Sequence, residues 1–164
     1  MTDYKNIKNK LEKIRNSNLI QKGDKILIAF SGGPDSVFLY HVLKYIQKDF
    51  ELKISLLYVN HNLRTDVQED MDFTKEFSER NRVPFYIESV NVNDYVIKNK
   101  KSTELSAREL RYMKLNEVLN SIGYDKIATG HNLDDNVETI IFRLLRGTSV
   151  KGLKEILKKR ENII

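Results

Sequence analysis

KILIAFSGGPDS, running from Lys25 to Ser36, is the stretch whose reading decides the fold. Its first half, Lys25–Phe30, is a short apolar run rich in isoleucine, the pattern of a buried strand. The second half, Ser31–Ser36, cannot continue that strand. Gly32 and Gly33 permit backbone conformations with positive φ and a close approach by a ligand. Pro34 suits the first position of a helix, where its missing N–H costs nothing, and Asp35–Gln47 reads as that helix. The free N–H groups of the turn and the helix dipole favour an anion. Ser31 and Ser36 add hydroxyl donors. Asp35 puts a carboxylate at this anion site, which makes sense if a divalent metal bridges it to phosphates. Two better-known nucleotide loops do not fit, because the chain contains neither G-x-x-x-x-G-K-[ST] nor G-x-G-x-x-G.

Outward from this stretch, strands and helices alternate. Upstream, Thr2 and Asp3 are placed to cap a first helix with Ile7, Leu11 and Ile14 on one face, and Gly23-Asp24 marks a turn. Downstream, Leu52–Val59 is a second strand, and Asp66–Asn81 is a helix with Val67, Met71 and Phe77 among its apolar positions. Pro84–Val90 is a third strand. Asn91–Lys101 is a short helix or loop whose Lys98–Lys101 run forms a solvated patch. Thr103–Ser121 is a helix ended by Gly123, Asp125–Thr129 a fourth strand, and Asn132–Leu145 a further amphipathic helix closed by Gly147. Gly152–Lys158 adds a helical turn or two. Strands separated by helices pair in parallel through right-handed crossovers. The expected fold is α/β: a doubly wound, mainly parallel sheet with helices on both faces. Ligands of such sheets bind outside the carboxyl ends of the strands, near the point where strand order reverses. That rule selects the loops Ser31–Ser36, Asn60–Arg64 and Gly130–Asp135.

The chain has 164 residues, enough for one domain with one sizeable core. No stretch approaches the roughly 18 apolar residues of a membrane span. The first residues, MTDYKNIKNKLEKIRNSN, are charged throughout and lack the apolar core of a secretory signal, so a cytoplasmic protein without membrane contact is expected. There is no cysteine, which excludes disulfides, thiolate-ligated metals and persulfide chemistry within these residues. The formal net charge is +5, and the segment from Arg143 onward carries seven basic residues against two acidic ones. That segment therefore accounts for the whole excess, which fits an RNA partner or a solvated tail.

Several polar residues gather near the strand ends. His61 and Arg64 follow the second strand, as nucleotide contacts or as plain surface residues. Arg108 and Arg111 are i, i+3 neighbours on one helix face. Alone they read as a solvated face partnered by Glu104 and Glu109; facing a site they would hold phosphates or a developing negative charge. His131, Asp134, Asp135 and Glu138 open the helix after the fourth strand. Acids in a first turn are commonly dipole complements, but this spacing also lets carboxylates converge opposite Asp35, to share a magnesium ion or act as a general base. His41 lies inside the first of the crossover helices and reads as structural.

SGGPDS matches the S-G-G-x-D-S signature of the N-type ATP pyrophosphatases of the PP-loop superfamily, which cleave ATP between the α and β phosphates and adenylate an oxygen. VNHNLR (Val59–Arg64), ELSARELRY (Glu104–Tyr112) and ATGHNLDDNVETIIFRLLRGTSVKGL (Ala128–Leu153) resemble the motifs of one family within it, the tRNA(Ile)-lysidine synthases. The matches span most of Ile26–Leu153. The resemblance implies a Rossmann-like fold of the adenine nucleotide alpha hydrolase type. It implies ATP held by Ser31, Gly32, Gly33, Pro34, Asp35, Ser36, His61, Arg64, Arg108 and Gly130. Mg²⁺ would be held by Asp35, Asp134 and Glu138, and catalysis would fall to Asp35, Arg111, His131 and Asp135. The substrates implied are the wobble cytidine of tRNA(Ile) with a CAU anticodon and L-lysine, and the assembly a homodimer. On the same grounds residues 1–164 are expected to be one N-terminal PP-loop ATPase domain, ending before a last strand and the carboxy-terminal tRNA-binding domains. Three alternatives share features of this reading. A tRNA-thiolating enzyme is opposed by the lack of cysteine, and an amide-forming synthetase such as NAD or GMP synthetase by the Ala128–Leu153 signature. A non-catalytic ATP-binding module is the third.

Overall fold

The computed structural model describes residues 19–62 and 67–130. In chain order these hold β1 (Lys25–Ala29), α1 (Pro34–Phe50), β2 (Lys53–Asn60), α2 (Val67–Asn81), β3 (Phe85–Ser89), α3 (Val92–Asn99), α4 (Thr103–Ser121) and β4 (Lys126–Thr129). The helices expected before residue 19 and after residue 130 lie outside the described residues.

The four strands form one parallel sheet in the order β3-β2-β1-β4. Ile28 of β1 stands between Leu56 of β2 and Ala128 of β4, and Leu27 between Ser55 and Ile127. Because side chains alternate across a strand, these two rows face opposite ways. Ile26, Ile28, Ile54, Leu56 and Ala128 pack with Tyr40, Leu43 and Ile46 of α1, and Phe77 of α2 joins them. Leu27, Leu57 and Ile127 pack with Leu115, Val118 and Leu119 of α4. Burial on both faces is why β1 reads as an uninterrupted apolar run rather than an alternating one. Helices therefore cover both faces of a parallel sheet, as the alternation of elements implied. The chain steps outward from β1 to β2 and β3, then returns past them to β4 on the other side of β1. The order reverses between β1 and β4.

Element ends differ from the sequence expectation where a non-glycine residue adopts a left-handed backbone. α1 continues past Gln47 to Phe50 and stops at Glu51 (φ 53°), whose N–H meets the Lys48 carbonyl. α3 is a true helix, capped by the Asn91 side chain, which accepts from the Asp94 N–H at 3.1 Å, and ended by Lys100 at φ 52°. Lys98, Asn99 and Lys100 are exposed, as a solvated patch requires, and the partly exposed Lys101 binds both Glu109 carboxylate oxygens at 2.7 Å, while Glu109 also accepts from the Tyr95 hydroxyl at 3.1 Å. That cluster ties α3 to α4. At the amino end of the sheet the largely buried Asp24 pairs with Lys126 and accepts from the Gln21 N–H at 2.6 Å. Nearby, the Lys25 N–H donates to the Asp125 carboxylate at 2.8 Å, so β1 and β4 are joined there by side chains as well as by their ladder. No helix among the described residues is long and apolar enough to cross a membrane.

Candidate active site

At the carboxyl ends of the strands the reversal between β1 and β4 opens a cavity of about 460 Å³. One wall is the turn between β1 and α1. Gly32 takes φ +80°, and a Cβ there would stand 3.3 Å from the Phe73 ring of α2. The turn holds itself together through its serines. Ser31 Oγ accepts from the Gly33 N–H and meets Ser36 Oγ, both at 3.4 Å, while Ser36 Oγ donates to the Gly33 carbonyl at 2.8 Å. Gly33 occupies the N-cap position and brings no side-chain oxygen, so the first N–H groups of α1 remain open to an external acceptor.

The wall opposite is the end of β4. A Cβ on Gly130 would fall 3.1 Å from the carbonyl carbon and oxygen of Asp35 and 3.2 Å from the Ser36 nitrogen. A side chain here would push β4 and the first turn of α1 apart by a few tenths of an ångström. The anion cradle is thus made by two chain segments, with backbone from both.

The third wall brings charge. Arg111 of α4 lines the cavity, partly buried. Burial is the chief cause that lowers its pKa, with the like charge of Arg108 adding to the shift and Tyr112 opposing it. A guanidinium remains protonated through such a shift. Among the described residues neither arginine is paired with a carboxylate. Of their two expected partners, Glu109 is taken by Lys101 and Tyr95, and Glu104 stands exposed in the first turn of the helix. Both guanidiniums instead lie over the Tyr112 ring, at 5.9 Å for Arg108 and 5.7 Å for Arg111. His61, half-buried at the end of β2, has its pKa lowered first by burial and then by the charge of Arg111. It is therefore a neutral imidazole at pH 7, and its Nδ1 is buried without a hydrogen-bond partner among the described residues.

Ser31, Gly33, Pro34, Asp35, Ser36, His61, Arg111 and Gly130 surround this one cavity. Gly32 belongs to the same turn, and Arg108 sits beside Arg111 over Tyr112, outside the lining. Arg64, His131, Asp134, Asp135 and Glu138 lie outside the described residues. His41 is exposed, with edge contacts to Tyr40 and Phe77, and is absent from the lining. Asp70, in the first turn of α2, and Asn60 and Asn62, at the end of β2, line the cavity without having been singled out by sequence. Asn60 and Asn62 stand inside the motif that pointed to His61; nothing local marked Asp70. No group of three or more His, Cys, Asp or Glu side chains converges among the described residues. Asp35 and Asp70 are hard oxygen donors of the kind that hold Mg²⁺ together with substrate phosphates.

Comparison with known proteins adds to this geometry. A family model described as a PP-loop domain matches residues 3–164. Curated relatives named tRNA(Ile)-lysidine synthase include one from Clostridioides difficile (strain 630), 44% identical over 94% of this chain and 34% of its own length. One from Petrotoga mobilis is 39% identical over 92% of this chain and 48% of its own length. The chain thus spans about a third to a half of the length of these relatives. Among solved structures, the U34-tRNA thiolase NcsA from Methanococcus maripaludis superposes with a TM-score of 0.79 over 98% of this chain and 57% of that one, at 22% identity. The NH3-dependent NAD synthetase from Campylobacter jejuni superposes with a TM-score of 0.58 over 88% of this chain and 61% of that one, at 13% identity. At such identities the likeness is one of fold.

Proposed function

The chain belongs to the PP-loop domain family, and from that premise we propose that it binds ATP between β1 and β4 and adenylates the wobble cytidine of tRNA(Ile) with a CAU anticodon, so that lysine can be joined to C2. The observation that carries this reading is the combination within one cavity of an open helix start and an arginine without a carboxylate partner among the described residues. Such a site suits an anion. The shared name of the relatives supplies the base and the amine.

The cytidine O2 attacks the α phosphorus of ATP, and pyrophosphate leaves with the electron pair of the α–β bridge. The lysine ε-amine then attacks C2, and AMP departs with O2. C2 of cytosine is a weak electrophile, and its oxygen leaves only as an adenylate. The N–H groups of Asp35 and Ser36 and the Ser31 hydroxyl hold phosphate oxygens, while the Ser36 hydroxyl braces the turn through the Gly33 carbonyl. Arg111 offsets the charge that grows on pyrophosphate, and neutral His61 offers a hydrogen bond without adding charge. A bound Mg²⁺ would neutralise the departing pyrophosphate. Asp35 fits it as a ligand, with Asp134 and Glu138 as further ligands. Asp135 would take the proton that the lysine amine must lose, and His131 would contact the nucleotide. The reaction belongs to the cytoplasm, where transfer RNA is matured.

The test is ATP–pyrophosphate exchange and AMP release by the protein at its full length, with and without lysine and with isoleucine transcripts carrying CAU or GAU. AMP release that needs lysine and the CAU transcript together is expected, with labelled lysine entering the RNA. AMP release indifferent to both would refute the assignment.

A further inference from the structure

Tyr112 follows Arg111 on α4, and its ring packs against the core cluster of Leu27, Leu57, Leu115 and Ile127. That cluster fixes the ring. Two guanidiniums lie over it, at 5.9 Å and 5.7 Å from the centroid. Bringing two like charges together costs free energy, and burial of Arg111 adds to that cost. A salt bridge is the usual remedy, but Glu109 is committed to Lys101 and Tyr95. The π face provides attraction of another kind: it draws a cation electrostatically without supplying an acceptor for its N–H groups. A carboxylate would have cancelled the charge and occupied the donors that a phosphate needs. The aromatic face holds the guanidinium and leaves its charge uncancelled, with the Tyr112 hydroxyl taking only part of its hydrogen bonding.

We propose that Tyr112 is a positioning residue whose ring is a shelf holding the Arg111 guanidinium toward the cavity, with Arg108 as the second cation on it. The catalytic part of this proposal rests on the adenylation reading above; the shelf itself does not. A flexible arginine without a shelf would reach the anion at an entropic cost and would arrive in several geometries.

Two measurements on the full chain separate the two ideas. The first is the ¹⁵N-resolved Arg111 Nε–H signal, assigned by its loss in Arg111→Ala. It is expected to be rigid and ring-shifted in the wild type and in Tyr112→Phe, and mobile and unshifted in Tyr112→Leu and Tyr112→Met. Met is included because it fills the core differently should the Leu variant fold poorly. The second is a double-mutant cycle read by pyrophosphate exchange. Tyr112→Leu is expected to slow exchange about tenfold, mainly in kcat, with Tyr112→Phe within about twofold of wild type. In the Arg111→Ala background the Leu substitution is expected to add nothing. An Nε–H signal equally rigid without the ring, or additive losses in the cycle, would overturn the proposal. An Arg111→Ala variant with normal exchange would instead sink the adenylation role of Arg111, and the Nε–H signal would still decide the shelf.

Discussion

Replacing Gly130 with alanine exchanges one hydrogen for a methyl group, and the site leaves it no room. The new Cβ would lie 3.1 Å from the Asp35 carbonyl carbon and oxygen and 3.2 Å from the Ser36 nitrogen. Ordinary contacts between non-bonded carbons lie at about 3.5–4.0 Å, so the segments must part by a few tenths of an ångström. The obstructing atoms are backbone in the first turn of α1 and cannot rotate aside. Overpacking of this kind costs about 1–3 kcal/mol. The displacement falls on the spacing between β4 and the start of α1, which is the anion cradle itself. If the cost is borne by the bound state, ATP affinity falls about tenfold or more. Titration calorimetry with MgATP measures it, and a thermal melt reports how much the free fold absorbs. Gly123→Ala is the control: its φ of +65° strains an alanine by about 1–2 kcal/mol, yet among the described residues no atom beyond its chain neighbours lies within 4 Å of the added carbon. That variant is expected to melt earlier and bind ATP normally. Gly130→Ala with unchanged affinity and melting temperature would refute the reasoning.

Two further outcomes are expected. The His61 pKa is held below its ordinary value of 6.5 in the folded protein, so between that lowered pKa and about 6.5 the unfolded chain binds the extra proton. His61 therefore makes stability rise with pH across that window and fall as acid is added. His61→Gln is expected to flatten the melting temperature against pH there, and an unaltered slope would show that His61 is not its source. Asp24→Asn leaves Lys126 largely buried without its counter-charge and is expected to cost about 3 kcal/mol in urea unfolding. Because that pair sits at the amino end of the sheet, the folded fraction should bind ATP as before. A parallel loss of affinity would show that the two ends of the sheet are coupled.

What was legible in the sequence was what is local. The turn from β1 into α1 is contained within six residues, and Gly32, the proline and the serines each mark a backbone need that the structure shows, whereas Gly33 keeps a φ of −71° open to any residue. β1 was legible for the opposite reason: a central parallel strand is buried on both faces, so KILIA has no polar member after Lys25. Helix ends were poorly legible where Glu51 and Lys100 take a left-handed backbone that usually selects glycine. The fate of Glu109 was hidden because its partners come from another helix and from Lys101, not from the arginines on its own face. Asp70 was hidden for a similar reason, since a first-turn acid is ordinary and only tertiary packing turns it into the cavity wall. The strand order, and with it the pairing of Gly130 with Asp35, is a property of the assembled sheet.

The joint between β1 and β4 also bears on how the chain reaches its fold. Lys25 and Asp125, which hydrogen-bond there, are 100 residues apart, whereas β1, β2 and β3 each meet their neighbour after one intervening helix. Closing the longer loop adds an entropic cost that grows slowly with its length, and contacts of such separation slow folding. The nucleotide cavity does not exist until that closure is made, since Gly130 supplies one of its walls. A ligand that binds only the closed sheet favours closure by mass action. On the proposed reading, ATP is then a substrate and also a clasp across the most distant contact in the sheet.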